Sequence, residues 1–157
     1  MDLHKLQQEV LQYLMDGYLQ NGGTPIFSIS EITEPAGINS HEFGKLLVEK
    51  GLVKNQQFRP DGFMCSISPT GINTIDPNYF DGHISTIISV LGTTGNDWIG
   101  IMEILSFEPK DFQIAFDIAK VAEVTGYVEA QYQHNDIFLK LTLRGQQYYN
   151  DNKATFN

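Results

Sequence analysis

The feature that most constrains this chain is a segment that occurs twice in similar form, at residues 51–71 and at residues 126–145. In each copy a glycine ends a helical pattern, a short strand and a polar turn follow, and a second strand leads into the start of a helix. The opening glycines, Gly51 and Gly126, lie 75 positions apart, and the closing ones, Gly71 and Gly145, lie 74 apart. A change of one residue in the intervening hairpin accounts for the difference. The sequence therefore predicts one architecture built twice.

Helical patterns precede the first copy. Apolar residues recur every three or four positions from about residue 2 to residue 20, and again from about residue 40 to the glycine at 51. The second of these helices is expected to bury Phe43, Leu46 and Leu47. Between the two helices lie a very short strand and a brief helix, for which Ser28 and Glu31 have the spacing of a capping box.

The second half of the chain repeats this order. Three helical patterns come before its hairpin, whose second strand is expected to alternate inward at Ile137, Leu139, Leu141 and Leu143. A turn-rich joint at residues 76–78 separates the halves, so the predicted domains are residues 1–80 and 81–157. The predicted fold class is mainly α with small β-hairpins, that is, α+β. Each half has no more than 80 residues, and the two are expected to pack together because domains of this size bury little surface alone.

The order of helix, short strand, helix, helix and two-stranded hairpin resembles the winged-helix superfamily of helix-turn-helix domains. The phrases Gly-Leu-Val … Ile-Ser-Pro-Thr-Gly and Gly-Tyr-Val … Leu-Thr-Leu-Arg-Gly carry the resemblance, which covers most of the chain. It implies two tandem winged-helix domains packed together. Such domains occur in bacterial repressors, in replication proteins and in purely protein-binding subunits. In the DNA-binding members the third helix enters the major groove and the hairpin, or wing, contacts phosphates or the minor groove.

Carried over position by position, the resemblance implies a contact surface in the first domain, formed by the third helix and the wing. The candidate contacts with a partner or with DNA are Ser40, His41, Lys45, Lys54, Gln56, Gln57 and Arg59. The third helix of the second domain is expected to expose several carboxylates, among them Asp117 and Glu123. Phosphate would repel such a surface, so the second domain is predicted to be a poor reader of DNA.

Charge and aromatic content leave two functions open. Ten Lys and Arg against 19 Asp and Glu give a formal charge of −9, which opposes non-specific attraction to nucleic acid or to an anionic membrane. The acidic balance favours a module for protein–protein interaction, assembly or self-association. The alternative is a DNA-binding transcriptional regulator that reads DNA through its first domain. Tyr132, Tyr148 and Tyr149 are expected either on a partner surface or packed between the domains.

Residue patterns typical of enzymes are missing from the sequence. The four histidines are scattered without the close spacing of a helix-borne metal site, and the glycines do not form a phosphate-binding loop. Cys65 follows the inward alternation of its strand and is expected to be a buried core thiol. The sequence therefore predicts no catalytic residue, cofactor, metal or small-molecule substrate. Apolar runs stay below the ~18 residues of a membrane span, and the first residues lack a signal-peptide pattern, so a cytoplasmic protein is expected.

Overall fold

A computed structural model describes residues 2–95 and 97–156. The described residues confirm the α+β class, with nine α-helices and two three-stranded antiparallel sheets. The chain divides into two compact units, residues 1–77 and 78–157. This division falls three residues before the predicted boundary at 80/81.

The described part of unit 1, residues 2–77, contains four helices and three strands. In chain order they are α1 (Leu3–Gln20), β1 (Phe27–Ser28), α2 (Ser30–Thr33), α3 (Ser40–Glu49), β2 (Val53–Arg59), β3 (Gly62–Ile67) and α4 (Pro69–Ile75). The sheet has the order β1–β3–β2, so the short first strand pairs with the last one. Phe63, Cys65 and Ile67 of β3 are fully buried as predicted, but the expected alternation is incomplete because Ser66 is buried as well.

Local capping explains where some of these helices begin. The side chain of Asn39 accepts a hydrogen bond from the Glu42 amide at the start of α3. The capping box predicted at Ser28 and Glu31 is wrong. Ser28 is held in β1 by pairing with Met64, and α2 begins after Ile29 with no side-chain cap.

The burial of α3 also departs from the sequence pattern. Phe43 and Leu47 are buried as expected, but Leu46 is 42% exposed. Gly44 lies directly over the ring of Phe63, where an added Cβ would come within 2.5 Å of a ring atom. This close approach fixes the face that α3 turns inward, and Leu46 lies outside that face.

Unit 2 repeats the order, with a 3₁₀ turn before its third helix and two closing helices. Its elements are α5 (Tyr79–Thr93), β4 (Ile99–Gly100), α6 (Ile101–Ile104), a 3₁₀ turn (Pro109–Asp111), α7 (Phe112–Val124), β5 (Val128–Tyr132), β6 (Ile137–Leu141), α8 (Leu143–Asp151) and α9 (Lys153–Phe156). The sheet order is β4–β6–β5. The inward alternation is confirmed for Ile137, Leu139 and Leu141 but is wrong for Leu143, which is 84% exposed. Leu143 is the first residue of α8, where the two-residue period of the strand has ended.

The same junction closes both hairpins. In unit 1, Ser68 Oγ donates to the Gly51 carbonyl at 2.6 Å and accepts from the Gly71 amide at 3.1 Å. In unit 2, Thr142 Oγ1 donates to the Gly126 carbonyl at 2.7 Å and accepts from the Gly145 amide at 3.0 Å. One hydroxyl therefore ties the end of the preceding helix to the start of the following one in each unit.

The one-residue difference between the copies is a β-bulge. The pairing of β2 with β3 shifts between Lys54 and Gln57, and Asn55 there has a φ of 56°. The pairing of β5 with β6 runs from Val128 to Tyr132 without a shift. A bulge leaves an extra residue on one strand, which accounts for the longer first hairpin.

Candidate interaction surface

Helix α3 and the β2–β3 hairpin form one continuous surface in unit 1, called here the helix–hairpin surface. His41 Nε2 donates a hydrogen bond to the Arg59 carbonyl oxygen at 2.9 Å. The His41 ring lies 5.8 Å from the Phe58 ring, and Phe58 makes an edge contact with buried Phe63 at 4.9 Å between centroids. The helix and the hairpin are therefore tied together by a hydrogen bond and a row of three rings.

The structure brings most of the seven predicted contact residues to this surface. Arg59 Nε and Nη2 donate to Gln57 Oε1 at 2.9 and 2.5 Å, which orients the guanidinium along the strand. Lys45 is exposed one helical turn after His41, and Gln56 is exposed at the bulge.

Besides His41, which is half-buried, two of the predicted residues are less available. Ser40 is half-buried and lies on the same stripe of α3 as buried Gly44 and Leu47. Lys54 is half-buried and pairs with Ser66 in the sheet. These two positions contribute less to the helix–hairpin surface than the resemblance implied.

The outward side of α3 carries mixed charge. Glu42, Lys45 and Glu49 are exposed with the spacing of one helix face. Lys50 is turned toward α1, where its ammonium donates to Gln7 Oε1 at 2.9 Å. The outward face of α3 therefore presents one cation and two carboxylates. These charges together attract a phosphate backbone only weakly.

Sequence reasoning missed two apolar residues of this region. Phe58 is 54% exposed and Leu46 is 42% exposed. Phe58 stands in a strand whose residues from Asn55 to Arg59 are all exposed. Its signal in the sequence is an aromatic residue inside a polar strand.

The corresponding region of unit 2 is closed by its own side chains. The rings of Phe116 on α7 and Tyr132 on β5 are 5.3 Å apart, and Lys120 Nζ lies 4.2 Å from the Tyr132 centroid and 5.3 Å from that of Phe116. The Tyr132 hydroxyl donates to a carboxylate oxygen of Glu123. Burial raises the pKa of Tyr132, and the hydrogen bond and the charge of Glu123 raise it further.

Other sequence expectations for unit 2 need correction. Asp117, expected on the exposed side of α7, is only 5% exposed and accepts a hydrogen bond from Gln113 Nε2 at 3.1 Å. Tyr149 is not a surface residue, since it is 8% exposed and packs over Gly92. Tyr148 is half-buried and stacks on Tyr127 with centroids 4.3 Å apart.

The remaining candidate groups have ordinary environments. Cys65 is fully buried, which confirms the expected core position. This burial raises the pKa of the thiol to about 12, so the thiol stays protonated at neutral pH. Among residues 2–95 and 97–156, no group of three or more His, Cys, Asp or Glu side chains is placed to hold a metal ion. Within the same ranges, each helix is too short or too polar to span a membrane.

Comparison with known protein families, with curated proteins and with solved structures finds no match for this chain.

Proposed function

We propose that each unit is a winged-helix domain and that the protein is a non-enzymatic tandem winged-helix module acting in protein–protein interaction or assembly in the cytoplasm. The order of elements supports this assignment, because both units run helix, strand, helix, helix and two-stranded hairpin. The sheet order supports it as well, since in each unit the short first strand pairs with the last strand of the hairpin.

Phe58 is the observation that carries the proposed interaction. Phe58 is more than half exposed, yet contacts with His41 and Phe63 hold its ring in place. An aromatic side chain that is already ordered loses little conformational freedom when a partner covers it, and such residues dominate the binding energy of protein interfaces.

Polar groups surround this aromatic residue. Gln57 and Arg59 are exposed beside it on β2, and Lys45 is exposed on α3. An apolar centre with a polar rim is the usual composition of a protein interface. The helix–hairpin surface of unit 1 is therefore the proposed docking surface, for a second protein or for another copy of this chain.

DNA binding through the same surface is the second candidate. Exposed Lys45, Gln56 and Arg59 favour it, since they occupy the helix and hairpin that winged-helix domains use on DNA. DNA binding is the weaker of the two candidates, because α3 carries two carboxylates on its outward face and the net charge is −9.

The interaction is tested by affinity capture from the native cell with three baits: wild type, Phe58→Ala and Leu143→Ala. Leu143 is the matched control, because it is an exposed apolar residue at 84% exposure on unit 2. We expect Phe58→Ala to lose the captured partner or, in light scattering, the self-associated mass, while Leu143→Ala retains it. A wild-type protein that captures nothing and is monomeric, or a Phe58→Ala protein that behaves as wild type, would overturn the proposal.

A second measurement separates the two candidates. Fluorescence anisotropy with a mixed-sequence DNA duplex at low salt exaggerates attraction to phosphate, and we expect no binding there. Binding that is lost in Lys45→Glu and in Arg59→Glu but kept in Lys120→Glu would favour DNA over protein. Lys120 is the matched control because it already lies over the rings of Phe116 and Tyr132 in unit 2.

A further inference from the structure

Unit 2 contains a groove of about 360 Å³ between α5 and the segment that leads into β5. Two isoleucines of α5, Ile84 and Ile88, line the groove and are buried. Its aromatic side is formed by Tyr127 and Tyr148, whose rings are stacked at 4.3 Å with an angle of 18° between their planes. The groove therefore combines an aliphatic side with a stacked aromatic pair.

One carboxylate gives the groove its negative charge, and two neutral hydroxyls lie beside it. Asp81, in the first turn of α5, contributes an exposed carboxylate, and Ser85 and Thr125 contribute hydroxyls. Apolar walls with a carboxylate at the edge match a side chain that has an aliphatic stem and a cationic head. Lysine has this construction, and its ammonium also interacts favourably with the face of a tyrosine ring.

Unit 1 shows how a lysine behaves at the equivalent position. Lys50 precedes Gly51, the glycine that ends α3, and its ammonium crosses to α1 and donates to Gln7. In unit 2 the residue before the equivalent Gly126 is Thr125, which instead folds back to donate to the Ala122 carbonyl at 2.6 Å. The place that a lysine side chain spans in unit 1 is thus left as a groove in unit 2.

Tyrosines of unit 2 already accept cations from the same chain. The Arg144 guanidinium carbon lies 5.1 Å from the Tyr127 centroid, and Lys153 Nζ lies 6.0 Å from that of Tyr149. Of the two tyrosines that line the groove, Tyr127 already carries the Arg144 cation, so Tyr148 is the aromatic contact left for an added one.

We propose that this groove binds a lysine side chain of a partner protein, with the stem along Ile84 and Ile88, the ammonium beside Asp81, and the aromatic side formed by Tyr148. The inference is independent of the helix–hairpin surface, since it uses residues of unit 2 only. It identifies a second contact point and the chemistry of the residue that would occupy it.

The test is an amide NMR titration of the full chain with a blocked tetralysine peptide. We expect saturable shifts centred on the amides of Ser85, Thr125 and Tyr127. Asp81→Asn and Tyr148→Leu should each weaken binding about fivefold, the size expected from losing one exposed charge pair or one cation–π contact. Thr125→Lys should abolish the shifts, because its side chain would fill the groove as Lys50 does in unit 1.

Two controls make the outcome decisive. The same peptide with every lysine acetylated keeps the stem but loses the charge, and it should not bind. Phe58→Ala should bind tetralysine as wild type does, which separates this inference from the proposed function. Shifts spread over the acidic surface that persist in Asp81→Asn and Thr125→Lys, or equal binding of the acetylated peptide, would overturn the proposal.

Discussion

Phe58 and Tyr132 hold corresponding places in the two hairpins but have different neighbours. Phe58 contacts His41 and remains 54% exposed. Tyr132 is covered by Lys120 and hydrogen-bonded to Glu123. The Tyr132 ring is covered by side chains of its own unit, whereas Phe58 keeps exposed surface that a partner can cover. For that reason the proposed interaction is assigned to unit 1.

Thr33 supplies the sharpest stability prediction at this scale. Its side chain is fully buried in α2, and its Oγ1 has no hydrogen-bond partner among the described residues. A buried hydroxyl without a partner costs about 1 kcal/mol or more. We expect Thr33→Val, which keeps the shape and removes the hydroxyl, to raise the free energy of unfolding by about 1 kcal/mol in urea denaturation.

Ser66→Ala is the matched control for Thr33→Val. Ser66 is 2% exposed, but its Oγ donates to the Pro25 carbonyl at 2.8 Å. Removing this hydroxyl leaves the Pro25 carbonyl without that hydrogen bond. The free energy of unfolding of the variant should therefore fall by about 1–2 kcal/mol. A Thr33→Val protein that is destabilised as much as Ser66→Ala would show that the Thr33 hydroxyl is satisfied in solution.

At the scale of elements, the junction glycines allow a direct comparison of the two units. A Cβ at Gly71 would lie 2.3 Å from the Leu52 carbonyl oxygen, and one at Gly145 would lie 2.0 Å from that of Tyr127. Backbone atoms cannot rotate away, so the hairpin would have to separate from the following helix. We expect Gly71→Ala and Gly145→Ala each to cost about 2–3 kcal/mol of stability, measured by chemical denaturation.

Gly82→Ala is the control for this pair. Gly82 lies within α5, and a Cβ there meets no atom within 4 Å. The substitution should stabilise the protein by about 0.5–1 kcal/mol, since alanine loses less backbone entropy in a helix. If Gly82→Ala lost stability, or if Gly71→Ala and Gly145→Ala lost none, the expected clash at the two junction glycines would be contradicted.

At the scale of the whole molecule, each unit carries its own reporter. Cys65 is fully buried in unit 1, and its protonated thiol should react with alkylating reagents only when that unit opens. Trp98, the one tryptophan of the chain, lies in unit 2. Alkylation of Cys65 and fluorescence of Trp98 therefore follow the two units separately through one denaturation.

Each unit buries its own set of apolar residues, so we expect the junction variants to act locally. Gly71→Ala should lower the urea midpoint of Cys65 alkylation more than that of Trp98 fluorescence, and Gly145→Ala should do the reverse. Equal shifts of both midpoints in both variants would instead indicate one cooperative unit. That result would favour the sequence-based expectation that the two halves depend on each other for stability.

The sequence alone determined the repeated order of helices and hairpins, the helix ends near Gly51 and Gly126, and the burial of Cys65. These features depend on periodicity and on glycine at helix ends, which act between residues close in the chain. The structure adds that the extra residue of the first hairpin is a bulge that includes Asn55.

Only the tertiary structure decided which side chains remain available. Leu46 and Leu143 fit apolar patterns yet are exposed, and Asp117 fits a polar face yet is buried. The covering of Tyr132 by Lys120 and the exposure of Phe58 depend on side chains brought together from α7 and β5 in one unit and from α3 and β2 in the other. Because burial depends on neighbours that are distant in the sequence, the period of a helix or strand predicts its faces, but what covers each face is settled only by packing.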